Sequence, residues 1–134
     1  MELMGIGTDI FAMDRLRGIA HDLNDAFFRR SFDEEERRYA LSASAPVEKF
    51  MGMFAGKEAI YKAISPFCND FRPFEIRIGH TAQGMPTAEL SGKTQQELTR
   101  FFQRYTLMIS ISYEKDCAVA FAVLCRQKEE TAKT

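Results

Sequence analysis

Glu58 and Lys62 are the first side chains whose types and spacing suggest chemistry. Positions i and i+4 share one helix face, and glutamate ahead of lysine is the favourable order. The ordinary outcome is an exposed salt bridge that adds little stability. The sharper reading is a carboxylate for a metal and an ammonium for a phosphate, side by side, with Lys57 next to them. Asp9 is the second candidate. It follows Gly5-Ile6-Gly7-Thr8 among apolar residues, and a buried carboxylate has to be paired or metal-bound. A helix cap or turn is its plainer role, because Asp14 and a helical pattern come next. Ser110 and Ser112 point the same way from a strand. They suit phosphate oxygens, or else simply an exposed polar face. Arg15, Arg17, Arg29, Arg30, Arg37 and Arg38 all fall in the first third of the chain. Acidic residues are interleaved there, so a solvated face is the default and a patch for an acidic partner the sharper reading. His21 and His80 are isolated and receive no role. Gly5-Ile6-Gly7 is not a dinucleotide fingerprint, since the third glycine of that pattern would fall at Ile10.

The elements that must position these residues follow from periodicity and punctuation. Leu3–Met13 reads as a strand, and its glycines two apart allow another backbone or a ligand to come close. A helical pattern runs from Asp14 to about Phe28. Asp33 and Glu36 stand at capping-box spacing and open a second helix to about Ser42. Pro46 suits the first turn of a third helix, about Val47 to Ile64. Gly52 and Gly56 lie inside that helix, each costing up to about 1 kcal/mol against alanine, so something must pack close to one face. Pro66 ends it. Phe74–Ile78 alternates like a strand, Gln83-Gly84-Met85-Pro86 reads as a turn, and Thr87–Leu90 as the partner strand. Thr94 and Glu97 form a second capping-box pair, opening a helix to about Tyr105. Leu107–Ser112 and Cys117–Leu124 form a closing hairpin joined by Tyr113-Glu114-Lys115-Asp116. The last strand is almost continuously apolar, which predicts burial on both faces. Helices and antiparallel strands intermix, so the fold class is α+β.

The 134 residues fit one domain, here residues 1–125 followed by a polar, fraying tail, 126–134. A chain of this size buries about two thirds of its unfolded surface and holds its own core. With 18 Lys and Arg against 19 Asp and Glu, the formal net charge is −1, which argues against a nucleic-acid binder relying on overall positive charge. No apolar run approaches the ~18 residues of a membrane span, and Met1–Asp9 does not have the pattern of a secretory signal. Cys68, Cys117 and Cys125 form no CxxC. A reduced, cytoplasmic protein is expected, without a disulfide framework or a cysteine zinc site.

Taken in order, these pieces resemble the holo-acyl-carrier-protein synthase family of 4′-phosphopantetheinyl transferases, from Leu3 to about Leu124. The resemblance rests on Gly5-Ile6-Gly7-Thr8-Asp9-Ile10, the run from Phe28 to Glu36, and Phe54-Ala55-Gly56-Lys57-Glu58-Ala59-Ile60-Tyr61-Lys62-Ala63. Gln83-Gly84-Met85-Pro86 and Ile109-Ser110-Ile111-Ser112 leading into Cys117-Ala118-Val119-Ala120 complete it. It implies an antiparallel sheet packed with helices and a homotrimer with sites at its interfaces. It implies magnesium-dependent transfer of phosphopantetheine from coenzyme A to a serine of an apo acyl carrier protein, leaving adenosine 3′,5′-bisphosphate. By the same resemblance Asp9 and Glu58 hold the metal, while Glu58 and Lys62 act in catalysis. Lys57, Lys62, Gly84, Met85, Pro86, Ser112 and Tyr113 contact coenzyme A. Arg15, Arg17, Arg29 and Arg30 steer the acidic carrier, raising the on-rate more than the affinity.

The departures from the family pattern are Tyr113 in place of a usual histidine, Met53 in place of a frequent arginine, and Met85 in place of a common lysine. Ile64-Ser65-Pro66-Phe67 stands where a glycine-rich turn is usual. Three of these remove a cation from the coenzyme A side, where each charge-assisted bond to phosphate contributes about 1.5–3 kcal/mol. Lys57, Lys49 and Arg77 are the possible replacements. The alternative function is a catalytically impaired relative that binds the carrier protein as a scaffold.

Overall fold

The computed structural model describes residues 1–128. The chain runs β1 (Glu2–Ala12), α1 (Met13–Ile19), α2 (Ala26–Ser31), α3 (Glu34–Leu41) and α4 (Pro46–Ile64). A 3-10 turn (Pro73–Glu75) leads to β2 (Ile76–His80), β3 (Pro86–Leu90), α5 (Gly92–Thr99), β4 (Tyr105–Glu114) and β5 (Cys117–Arg126). Among the described residues there is one antiparallel sheet ordered β1-β5-β4 and a separate β2-β3 hairpin. The class is α+β, as the pattern predicts.

The long helix α4 lies across the inner face of the three-stranded sheet. Small residues let it come close. Gly5 and Gly7 share the inward face of β1, and a Cβ on either would collide with the backbone carbonyl of Ala63 or Ala59. The expected close approach at these glycines is therefore backbone on backbone. Farther back along α4, Gly52 receives the Tyr113 ring and Gly56 the side chain of Ile109, both from β4. The close packing at Gly52 and Gly56 is thus internal to the protomer. Phe11, Phe27, Phe28, Phe32, Phe50 and Phe54 fill the space between β1, α2 and α4 with edge-on and tilted rings, the arrangement aromatic quadrupoles favour.

Several sequence expectations are corrected. The single helix 14–28 is two short helices, because Asp25 ends a turn and caps α2, its Oδ1 accepting from Phe27 N at 3.0 Å. The Asp33–Glu36 capping box is present as expected. The Thr94–Glu97 box is not. Thr94 N donates instead to Glu75 Oε1 at 2.7 Å, nineteen residues away, while Glu97 Oε2 accepts from Asn69 N at 2.9 Å. With its cap supplied from a distance, α5 starts at Gly92 and stops at Thr99, short of Tyr105. Phe74 and Glu75 belong to the 3-10 turn rather than to the strand. The closing hairpin turns on Lys115-Asp116, with Asp116 at φ 67°, so Tyr113 and Glu114 stay paired in β4. The last strand is buried on one face only: Ala118, Ala120, Ala122 and Leu124 face α4, while Val119 and Phe121 face outward. Arg126 ends β5 in an ion pair with Glu2 rather than beginning a frayed tail. Residues 129–134 of the expected tail lie outside the described residues.

Candidate active site

Two elements carry the site. On β1 the inward positions are Gly5, Gly7, Asp9 and Phe11, two apart as the strand period requires. The two glycines bring the strand onto Ala59 and Ala63 of α4, and Asp9, the next inward residue, arrives beside Glu58 and Lys62 of the same helix. Asp9 and Glu58 are largely enclosed, with side chains 7% and 14% exposed. Burial and the neighbouring Asp9 carboxylate push the Glu58 carboxyl up, against the opposing pull of Arg15. Asp9 Oδ2 and Glu58 Oε1 are buried oxygens without a hydrogen-bond donor among the described residues. Arg15 Nη1 stands 2.8 Å from Glu58 Oε1, a charge contact whose geometry falls short of a hydrogen bond. Two enclosed, mutually repelling carboxylates with unused lone pairs fit a hard divalent cation. A set of two protein carboxylates is what magnesium takes when it keeps several waters and binds phosphate oxygens as well.

The two motif lysines have opposite fates. Lys62 Nζ donates to Thr8 O at 2.8 Å and Asp9 Oδ1 at 3.1 Å, and its side chain is half-exposed. An ammonium has three N–H donors, so one remains for an anion. Lys57 is five residues earlier, about 140° round the helix, and fully buried. Its Nζ donates to Glu36 Oε1 at 2.9 Å, Pro73 O at 2.8 Å and Ile76 O at 2.6 Å, which uses every donor. The expected coenzyme A contact at Lys57 is corrected: this lysine fastens α3, the 3-10 turn and β2 to α4. Burial pulls the Lys57 ammonium down and pushes the Glu36 carboxyl up, each opposed by the charge of the other.

The other predicted residues are spread more widely. Gly84 takes φ 87° in the turn between β2 and β3, where Met85 is exposed and Pro86 opens β3. Ser112 points outward from β4 and pairs with Val119. Tyr113 lies against Gly52, with Lys49 Nζ 5.3 Å from its ring centre. Gly52 is about 9 Å along the helix axis from Glu58, so within one protomer the Tyr113 group and the carboxylate pair are separate. Arg17 pairs with Asp14, while Arg29 and Arg30 are exposed in the last turn of α2. Arg15 is drawn into the carboxylate site. Sequence reasoning missed that contact, because no periodicity links α1 to α4.

Of the possible replacement cations, Lys57 is consumed internally and Arg77 is paired with Asp33 and Glu35. Lys49 has no ion-pair partner among the described residues. Met53, at the position of the frequent arginine, is a core residue. His80, given no role from sequence, stacks on Tyr39 at 3.9 Å between ring centres. Burial and the nearby Lys49 lower its pKa.

The α+β fold sets an acidic pair and a lysine at the junction of its first strand and longest helix. Residues 5–122 match the 4′-phosphopantetheinyl transferase superfamily. The chain is 32% identical to the holo-[acyl-carrier-protein] synthase of Nitrosococcus oceani, over 95% of its own length and 82% of that relative. The holo-[acyl-carrier-protein] synthase of Neisseria meningitidis superposes with a TM-score of 0.78 at 30% identity, covering 91% of this chain and 98% of that one. An ACPS–CoA complex from Chronobacterium ammoniagenes superposes with a TM-score of 0.79 at 25% identity, covering 92% and 98%. This chain belongs to the holo-[acyl-carrier-protein] synthase family.

Proposed function

We propose that this protein transfers the 4′-phosphopantetheine group of coenzyme A to a serine of an apo acyl carrier protein, with magnesium, releasing adenosine 3′,5′-bisphosphate. The observation that carries this reading is the meeting of Asp9, Glu58 and Lys62 in a chain that matches the family over residues 5–122. Asp9 and Glu58 hold the metal, which supplies charge neutralisation for the phosphate oxygens. The serine oxygen bonds to the phosphorus that carries pantetheine, and the bond from that phosphorus to the bisphosphate oxygen breaks. Glu58, directly or through a water, takes the serine proton. The remaining N–H of Lys62 serves the departing phosphate. Its anchor on the Thr8 carbonyl fixes it before substrate arrives, and such positioning is most of the catalysis in phosphoryl chemistry.

A homotrimer is part of the proposal. Its support is the outer face of the β1-β5-β4 sheet. Cross-strand rows there read Ile6–Val123–Met108, Thr8–Phe121–Ser110 and Ile10–Val119–Ser112, and Ile6, Ile10, Met108, Val119 and Phe121 are all exposed. Apolar surface of that kind marks an interaction site. The resemblance to the family implies that the sites of such a trimer lie between its copies. No helix among the described residues is long and apolar enough to cross a membrane.

The experiment is incubation with apo carrier protein, coenzyme A and magnesium, read by intact mass. One phosphopantetheine group should be added to the carrier, and Glu58→Gln should slow the addition by about 100-fold or more, since even partners outside the ligand set of a metal are worth 10- to 100-fold. No addition to any carrier of the same cell, with carrier binding retained, would favour the scaffold reading, whose motivation is the absence of the family's usual cations at Met53, Met85 and Tyr113.

A further inference from the structure

The acidic pair already has two cations of its own chain beside it, and they are held differently. Lys62 has the Thr8 carbonyl as well as Asp9. Arg15 has Glu58 Oε1 at 2.8 Å and the faces of Phe11 and Phe54, at 4.8 Å and 5.9 Å from the ring centres. Its side chain is half-exposed, and it sits on the seven-residue helix α1. With two carboxylates and two ammonium-type groups, the cluster is balanced. A divalent ion would leave two positive charges in excess. Of the two resident cations, Lys62 keeps a backbone acceptor when Asp9 is taken from it, whereas Arg15 loses its one acidic contact among the described residues. Arg15 is therefore the one that yields, and solvent is open to it.

We infer that Arg15 is a resident counter-ion that a divalent cation displaces from Glu58, so that metal loading frees the guanidinium for an acidic partner surface. The inference rests on the metal reading proposed above and adds a regulation to it. Ion and guanidinium compete for Glu58 Oε1, so displacing Arg15 subtracts from the affinity for the ion. Linkage runs both ways: an acidic surface that draws Arg15 away strengthens ion binding by the same factor by which the ion strengthens docking.

The test uses the full chain alone, without coenzyme A or carrier, titrated with Mn2+ and read by the electron paramagnetic resonance signal of the free ion. Arg15→Gln should bind Mn2+ about two- to fivefold more tightly than wild type, the range set by half-exposed ion pairs. Arg17→Gln, which removes the same charge from the same helix away from Glu58, should match wild type, and Asp9→Asn should lose binding. Wild-type or weaker affinity in Arg15→Gln, or equal tightening in Arg17→Gln, overturns the inference while leaving the metal reading intact. No binding by wild type, or undiminished binding by Asp9→Asn, overturns the metal reading and the inference with it.

Discussion

Lys57 and Lys62 look alike in the sequence, and their donors decide otherwise. Lys62 keeps an N–H for substrate; Lys57 spends its three on Glu36 and two carbonyls. Asp9, Glu58 and Lys62 stood out by residue type, spacing and apolar setting, but those local properties equally suit a surface ion pair and a helix cap; the family resemblance is what assigned them roles. The engagement of Lys57 was not legible, because its partners lie 16 to 21 residues away on other elements. Asp33 gives a residue-scale prediction. Burial would raise its carboxyl, but the Glu36 N–H and the Arg77 guanidinium outweigh burial and hold it below the usual aspartate range. An acid depressed in the folded state contributes stability above its ordinary value and loses it as pH falls through the lowered one. Asp33→Asn keeps a good cap but not the charge. It should be less stable than wild type by about 1 kcal/mol at pH 7, allowing for screening around Arg77. The difference should shrink below about pH 4, as urea unfolding at several pH values would record.

At the scale of elements, β1 and α4 make the site by touching backbone to backbone. The Gly5-x-Gly7-x-Asp9 pattern announced a close neighbour, and Ala59 and Ala63 prove to be that neighbour. Gly7→Ala should push the strand away from the helix and carry Asp9 with it. We expect a loss of about 1–3 kcal/mol in denaturant unfolding, the usual penalty for overpacking, together with weaker divalent-ion binding. Gly18→Ala, with open space around it, should show neither effect. Local signals placed α3 and α4 well, since the capping carboxylates and Pro46 act within one turn. They failed for α5, whose cap comes from Glu75, and for the helix read across residues 14–28, where the Asp25 turn outweighed apolar periodicity.

For the whole molecule, the proposed trimer turns on the outward face of the sheet. The apolar run of β5 predicted burial on both faces. One face is buried against α4; the other is uncovered in a single chain. The same hydrophobicity is consistent with both statements if copies associate through that face. Phe121→Glu, in the middle row, should convert a trimer to a monomer in sedimentation and abolish transfer. Ion binding at Asp9 and Glu58 should survive, because that pair is built within one protomer. The central claim is that these two carboxylates jointly grip one divalent ion. Crystals grown with Mn2+ and coenzyme A test it most directly through the anomalous difference map. The account predicts a single strong peak at about 2.0–2.2 Å from a carboxylate oxygen of Asp9 and one of Glu58, with phosphate oxygens completing its shell. A peak bound elsewhere, or phosphates seated on another face with this pair still bridged only by Arg15 and Lys62, would contradict it.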